Sequence, residues 1–290
     1  MSHPYIHAEG RVLAAIDASL YTDSICAHAA WAAQRLAAPL EFVHALDRQA
    51  RTPPVDLSGS LALGEQEALL AQLATLDEKR SQLAQEHGRL LLAQARERAA
   101  AEGVPSESRL RHGALVDTLV ELEPDVRLFV LGKRGAHAHL AKGHLGSELE
   151  RVVRAVHRPL LVASRSYTDI ARVLVAFDGS ATTRKGVEMV AASPLFRGLG
   201  IRVVTVGADT EANRIGLRWA LDTLAAAGLE AEGSVLPGEP EVAISDYARD
   251  EHADLLVMGA YGHSRIRQLI VGSTTTALLR TCRMPVLLLR

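Results

Sequence analysis

Cysteine is almost missing from this chain: Cys26 and Cys282 are the only two among 290 residues. They lie far apart and in no metal-like spacing, which excludes a disulfide framework and a zinc ribbon and makes a reducing compartment the natural setting. Long apolar runs are missing as well. No stretch approaches the roughly 18 residues of a membrane span. The opening residues Met1 to Gly10 mix His, Pro, Glu and Tyr and lack the basic-then-apolar order of a secretory signal, so a cytoplasmic protein is expected. Neither charge sign dominates: 32 Lys and Arg stand against 34 Asp and Glu. A cut near residue 166 leaves 19 against 20 and then 13 against 14, so neither half has the basic surplus of a nucleic-acid binder. What remains, 48% hydrophobic and 23% charged, is the composition of a globular chain with apolar material for one large or two ordinary cores.

The chain repeats itself, and the repeat decides the architecture. Arg11-Val-Leu-Ala-Ala-Ile-Asp17-Ala-Ser19 aligns with Arg172-Val-Leu-Val-Ala-Phe-Asp178-Gly-Ser180 at an offset of 161. Leu128-Phe-Val-Leu-Gly132-Lys-Arg-Gly135 aligns with Leu255-Leu-Val-Met-Gly259-Ala-Tyr-Gly262 at 127, and Gly146-Ser147 with Gly272-Ser273 at 126. Each half closes on a proline and an apolar run, Pro159-Leu-Leu-Val-Ala163 and Pro285-Val-Leu-Leu-Leu289. The fall in offset places about 34 extra residues in the first half, between its second and third strands.

In the second half, short apolar runs alternate with helical patterns, the rhythm of βαβ units on a parallel sheet. Strands are expected at Arg172–Phe177, Ile201–Val206, Glu230–Leu236, Asp254–Met258 and Val286–Leu289. Helices are expected at about Thr182–Ser193, Asn213–Ala227, Glu241–Glu251 and Ser273–Thr281. Runs such as Leu255-Leu-Val-Met fit strands covered on both faces. The first half repeats this order, with Ser164–Thr168 as the linker. The expected domains are 1–164, with a helical insert at about 55–103, and 168–290. Within the insert, Thr52 to Gly59 reads as loop, and Leu61 to Ala101 as one long helix rich in Ala, Leu, Glu, Gln and Arg. Leu69, Leu76, Leu83 and Leu90 recur every seven residues and Leu73 adds a second seam position, although Arg80 and His87 occupy the next two. An amphipathic helix lying on its own domain is the plainer reading; an interaction helix is the other.

In such sheets ligands bind beyond the carboxyl ends of the strands, where strand order reverses. There the second half carries Gly259-Ala-Tyr-Gly262, then nine residues, then Gly272-Ser273 at the start of a helix. Glycines let the backbone approach an anion, unpaired N–H groups can point at it, and a helix N-terminus attracts it. Ser273 and Thr274 add hydroxyl donors, and His263 and Arg265 lie within the loop, where they could touch phosphate or simply be exposed. Gly-x2-Gly-x9-Gly-Ser between a strand and a helix resembles the universal stress protein family, in its ATP-binding branch. The resemblance spans essentially the whole chain as two tandem domains and includes Asp178-Gly-Ser180 and the closing Pro285-Val-Leu-Leu-Leu.

That resemblance implies a Rossmann-like α/β fold of the adenine-nucleotide alpha hydrolase type, with five parallel strands and helices on both faces in each domain. It implies ATP, with or without Mg²⁺: Asp178 near ribose and metal-bridged phosphates, main chain at Val206 holding adenine, and Gly259, Gly262, Gly272 and Ser273 taking ribose and phosphate. The terminal strands Leu160–Ala163 and Val286–Leu289 would join the halves as an internal pseudo-dimer and cover two sheet edges. A homodimer stays open if the heptad leucines face outward.

The first half departs from the pattern. Ten residues rather than nine separate Gly135 from Gly146, and Ala18 replaces Gly179. One extra residue can move the second part of the cradle by up to about 3.5 Å, comparable with a hydrogen-bond length. Asp17, Ala45, Gly132, Gly135, Gly146 and Ser147 are the equivalent positions for a second site, and Lys133 and Arg134 are either phosphate ligands or a solvated basic pair. His137, His139 and His144 cluster here, but a metal centre needs further ligands with defined geometry, and no metal site is assigned. Asp17 and Asp178 have a plainer use, in capping the following helix. Trp31 and Trp219 are expected in the core, with Cys26 and Cys282 buried.

Neither loop is Gly-x4-Gly-Lys-Ser/Thr, which excludes a P-loop, and no residue set orients water or stabilises a transferring phosphoryl group. No catalytic residue is assigned. The first expectation is an adenine-nucleotide-binding stress-response regulator or chaperone-like factor, with at most slow hydrolysis. Two alternatives stay open: a nucleotidyl or phosphoryl transferase on a related fold, and a nucleotide-free interaction protein using the long helix and the domain interface.

Overall fold

The computed structural model describes residues 9–47, 63–135, 147–260 and 273–290, and the side chains of all of these except 63–68 and 147. In the first half the chain runs β1 (Arg11–Ala15), α1 (Thr22–Leu36), β2 (Leu40–Leu46), α2 (Leu63–Ala101), β3 (Ser106–His112), α3 (Leu115–Leu122), β4 (Val126–Gly132), α4 (Ser147–Ala155) and β5 (Leu160–Ala163). The second half gives β6 (Arg172–Ala176), α5 (Ala181–Ala192), β7 (Gly200–Val206), α6 (Glu211–Ala226), β8 (Ala231–Leu236), α7 (Pro240–Asp250), β9 (Leu255–Gly259), α8 (Ser273–Thr281) and β10 (Val286–Leu289). Expected and observed elements of the second half agree to within two residues at each end.

The strands form one ten-stranded sheet in the order β3-β2-β1-β4-β5-β10-β9-β6-β7-β8. Every adjacent pair is parallel except β5 with β10, which meet antiparallel through Leu160↔Leu288, Leu161↔Leu287 and Val162↔Val286. All four residues of each central strand are buried, which is why both read as unbroken apolar runs. Pro159 and Pro285 sit just before them, where a missing N–H costs no ladder bond. Their carbonyls accept from Phe129 N (3.0 Å) and Leu256 N (3.1 Å). The outer edges are held by β3 and β8, whose polar faces discourage further strand pairing.

Alternation along the strands divides the core into two layers. Val12, Ala14, Val130, Leu161, Val173, Val175 and Leu287 pack with residues of α1, α2, α5 and α6, and Leu13, Phe129, Leu131, Leu160, Val162, Leu174, Leu256 and Leu288 with residues of α3, α4, α7 and α8. Both layers run across the junction of the halves. At about 1.5–3 kcal/mol for each fully buried aliphatic or aromatic side chain, that junction is a structural core and not a loose contact. Trp31 and Trp219 are partly buried against it.

The insert forms the single 39-residue helix α2, but only its last turns lie on the domain. Leu91, Leu92, Ala95 and Ala99 are buried, and Gly88 comes so close that a Cβ there would stand 2.8 Å from both His44 Cδ2 and Leu110 Cδ1. Leu76, Leu83 and Leu90 are 57%, 66% and 58% exposed. The reading of a helix lying along its own domain therefore holds for its C-terminal part alone. The spacing 88, 91/92, 95 and 99 makes the docking stripe, and the heptad leucines fall elsewhere on the helix.

Candidate functional site

Strands β6, β7 and β9 are parallel, so their carboxyl ends share one edge of the sheet. β6 lies between β7 and β9, and chain order reverses there, at the position where α/β sheets bind ligands. Val206 ends β7, Gly259 ends β9, and Asp178 stands two residues beyond β6. Ser273 and Thr274 open α8, and Thr275 Oγ1 donates to the carbonyls of Gly259 and Ala260 at 3.4 Å, tying the start of that helix to the end of β9. Five of the proposed residues, Asp178, Val206, Gly259, Ser273 and Thr274, are thereby gathered at one end of the sheet. Gly262, His263, Arg265 and Gly272 lie outside the described residues.

The turn after β6 is built as a rigid step. Asp178 Oδ1 accepts from Ser180 N at 2.9 Å and from Thr183 Oγ1 at 2.7 Å. Ser180 caps α5, its side chain accepting from Thr183 N. Asp178 thus braces the turn, while Ser180 serves as the cap. Gly179 sits at φ +75°, and among the described residues no atom stands within 4 Å of where a Cβ would point. Arg184 Nε donates to Gly179 O at 3.1 Å, its guanidinium lies 4.5 Å from the Trp219 ring centre, and Trp219 stacks on Phe177 at 6.0 Å. Thr183, Arg184 and Trp219 therefore hold the turn. Sequence reasoning missed the first two, although the spacing from Asp178 to Thr183 was a legible signal of a capping network.

Electrostatics favour an anion at this end. Neither α5 nor α8 has an acidic residue in its first turn; the start of α5 already faces the Asp178 carboxylate, so the start of α8 is the positive helix end left for an anion. On the other side of β6, Gly207 N donates to Leu236 O at 2.8 Å and fixes the chain just past Val206.

The first half has the same frame with different contents. Asp17 Oδ1 accepts from Ser19 N at 3.1 Å, and a Cβ on Gly135 would stand 2.9 Å from Asp17 Oδ2, so these two candidates are brought together. Gly132 lies against Tyr21, whose Cβ would be 2.8 Å from a Cβ there. Ala45 lies in β2, paired with Arg111. Ser147 opens α4, whose first turn carries Glu148 and Glu150, which oppose an anion at that helix start. Gly146, His137, His139 and His144 lie outside the described residues.

Lys133 matches neither use considered for it. It is 8% exposed and donates to the carbonyls of Cys282 and Met284, the latter at 3.0 Å. The side chain has turned from the loop into the junction of the halves. Burial pushes its pKa down to about 8, partly countered by the nearby Cys282. Arg134 is exposed. Burial also pushes the Cys26 thiol up to about 12 and raises Cys282; both are packing residues. Among the described residues no group of three or more His, Cys, Asp or Glu could hold a metal ion, and no helix is long and apolar enough to cross a membrane. A cavity of about 220 Å³ opens between the halves, lined among others by Leu128, Pro159, Met189, Phe196 and Leu287, and none of the described candidate residues lines it.

Comparison with known proteins adds the family context. Residues 10–164 and 170–290 each match the universal stress protein family. Universal stress protein Slr1230 of Synechocystis sp. is 37% identical over 284 residues, covering 96% of this chain and 99% of that protein. Universal stress protein Rv2005c of Mycobacterium tuberculosis is 27% identical, with 96% of each chain covered. The crystal structure of a universal stress protein from Archaeoglobus fulgidus superposes with a TM-score of 0.70 at 18% identity, covering 96% of this chain and 98% of that one.

Proposed function

The chain belongs to the universal stress protein family, as a tandem of two family repeats, and from that premise we propose that it is a cytoplasmic regulator or chaperone-like factor that binds ATP at the carboxyl edge of its second repeat. The observation that carries this reading is the convergence of Asp178, Val206, Gly259 and the start of α8 on the strand-order switch, beside two helix N-termini without acidic residues in their first turns. Adenine would lie along the main chain at Val206, and the phosphates would face Ser273, Thr274 and the loop residues Gly262, His263, Arg265 and Gly272. Asp178 is the residue that would hold a Mg²⁺ ion arriving with the nucleotide, and the ion would supply positive charge to neutralise the phosphates.

The first repeat is the weaker candidate. Its Asp17, Ala45, Gly132, Gly135, Gly146 and Ser147 occupy the equivalent places, but Tyr21 lies over Gly132 and Glu148 and Glu150 stand in the first turn of α4. We read the two repeats, 1–164 and 168–290, as domains of an internal pseudo-dimer joined through β5 and β10. ATP then acts by favouring the conformation that binds it, with turnover slow or nil.

Equilibrium dialysis of ATP against protein stripped of copurified ligand should give one site per chain. Mass spectrometry of small molecules released from the purified protein should find adenine nucleotide in the wild type and a loss of at least tenfold, about 1.4 kcal/mol, in Gly272→Val. Undiminished retention in the variant would sink the site, and two equal sites per chain would remove the distinction between the repeats.

A further inference from the structure

The exposed leucines of α2 carry an inference independent of nucleotide binding. From the charge pattern around them we infer that α2 is a homodimerisation helix: its leucine seam pairs with the same seam of a second copy of this chain, in an antiparallel two-helix coiled coil.

Leu76, Leu83 and Leu90 are more than half exposed, and with Leu69 they form one heptad position, d. The other seam position, a, is filled by Leu73, Arg80 and His87. At about 100° of rotation per residue, the d leucines 76, 83 and 90 lie more than a quarter turn from the face that Leu92, Ala95 and Ala99 bury, while buried Leu91 flanks the a side of the seam. Docking of α2 on its own domain therefore leaves the d leucines open to a partner.

Three helix arrangements can be told apart by charge. A parallel, in-register pair sets Arg80 against Arg80 and His87 against His87 in the seam. An antiparallel pair aligns a with d, and the register in which paired residue numbers sum to 163 places Leu73 on the partner's Leu90, Leu76 on the partner's His87 and Arg80 on the partner's Leu83. Each polar seam residue then meets a leucine, along which an arginine stem can lie while its guanidinium reaches water. The same register sets Lys79 opposite the partner's Glu86, and two-fold symmetry repeats that pair. Positions flanking a seam choose partner orientation in this way. A slip of one heptad in either direction sets Lys79 on Lys79 or Glu86 on Glu86. Both residues are exposed, and among the described residues neither makes an ion pair within the chain. The overlap from residue 73 to 90 is about 26 Å of helix, some two and a half heptads, so a concentration-dependent dimer is expected.

Sedimentation equilibrium of the full chain between about 1 and 100 µM should show a monomer–dimer equilibrium. Leu83→Glu should abolish the dimer, and Leu76→Gln should weaken it at least tenfold. Both sites are exposed, so the helical circular dichroism and the thermal midpoint of the monomer should be unchanged. Lys79→Glu and Glu86→Lys should each weaken the dimer by threefold or more, and combining them should restore it. A monomer throughout the range, a dimer indifferent to Leu83→Glu, or charge reversals without mutual rescue would each overturn the proposal. The last of these would point to a parallel pair or a different face.

Discussion

The two repeats share a topology and differ in how they use the same positions. Glu41 of β2 and Arg202 of β7 stand 161 residues apart in the aligned register, and their charges are opposite. Glu41 is 2% exposed and is gripped by Arg11 at 2.8 Å and Arg109 at 2.7 Å. Arg202 is gripped by Glu232 at 3.1 Å and Glu251 at 3.2 Å. Met189 stands where the first repeat has His28, Gly179 where it has Ala18, and Ala260 where it has Lys133. The lesson is that backbone topology fixes where these side chains stand without specifying their sign, size or chemistry.

Exchanging the inverted charges should produce the largest effect. Glu41→Arg would place a third guanidinium beside Arg11 and Arg109 in a buried position, and the loss should reach about 4 kcal/mol or more, read from urea denaturation. Arg202→Glu, in a cluster that is about two-fifths exposed on the arginine side chain, should cost about 1 kcal/mol. Equal losses would mean that the burial difference between the networks has no energetic weight.

His28 and Met189 give the next contrast. His28 is fully buried; its Nδ1 lies 2.7 Å from Ser24 O, and its ring meets Tyr167 edge-on at 5.0 Å. Ser24 Oγ in turn donates to Ser164 O at 2.7 Å, so the group ties α1 to the linker. Burial, only partly offset by the Ser24 carbonyl, pushes the His28 pKa down from 6.5 to about 4. Between those values the unfolded chain binds a proton that the folded chain does not. Stability from this group is therefore full above about pH 6.5 and is lost as pH falls toward 4, by about 3 kcal/mol. His28→Met, which installs the residue of the second repeat, should flatten that acid limb in pH-dependent urea melts. A limb of unchanged slope would assign it to other groups.

Much of this fold could be read from the chain, because near-continuous apolar strands, helical spacing and the internal repeat all indicate the same doubly covered sheet. The end of β9 and the turn after β6 were equally legible, since glycine, aspartate and serine at a strand-to-helix junction have few uses. Lys133 was not. A lysine beside a glycine turn reads as solvated or phosphate-bound, and only the packing of the second repeat against the first reveals the carbonyls of Cys282 and Met284 that receive it. The exposure of Leu76, Leu83 and Leu90 was hidden for a similar reason: a heptad fixes which residues share a face, while the docking contacts of Gly88 and Leu92 decide which face meets the domain.

The smallest contrast tests whether the conformation of the turn is a property of its glycine. Gly179 holds φ +75°, and among the described residues nothing stands within 4 Å of where a side chain would point. Ala18 is not among the positive-φ residues of the described chain, so the two turns differ in backbone conformation. Gly179→Ala should therefore cost about 1 kcal/mol through backbone strain alone. Ala18→Gly should cost about half as much, through the added freedom of the unfolded chain. Thermal melts of the pair separate the two causes. If Gly179→Ala is neutral, the turn has relaxed to the conformation of the first repeat, and ATP binding should then fall in that variant although no contact residue has changed. If it is costly and binding is retained, the conformation is imposed by the hydrogen bonds of Asp178, Thr183 and Arg184, and the glycine merely tolerates it.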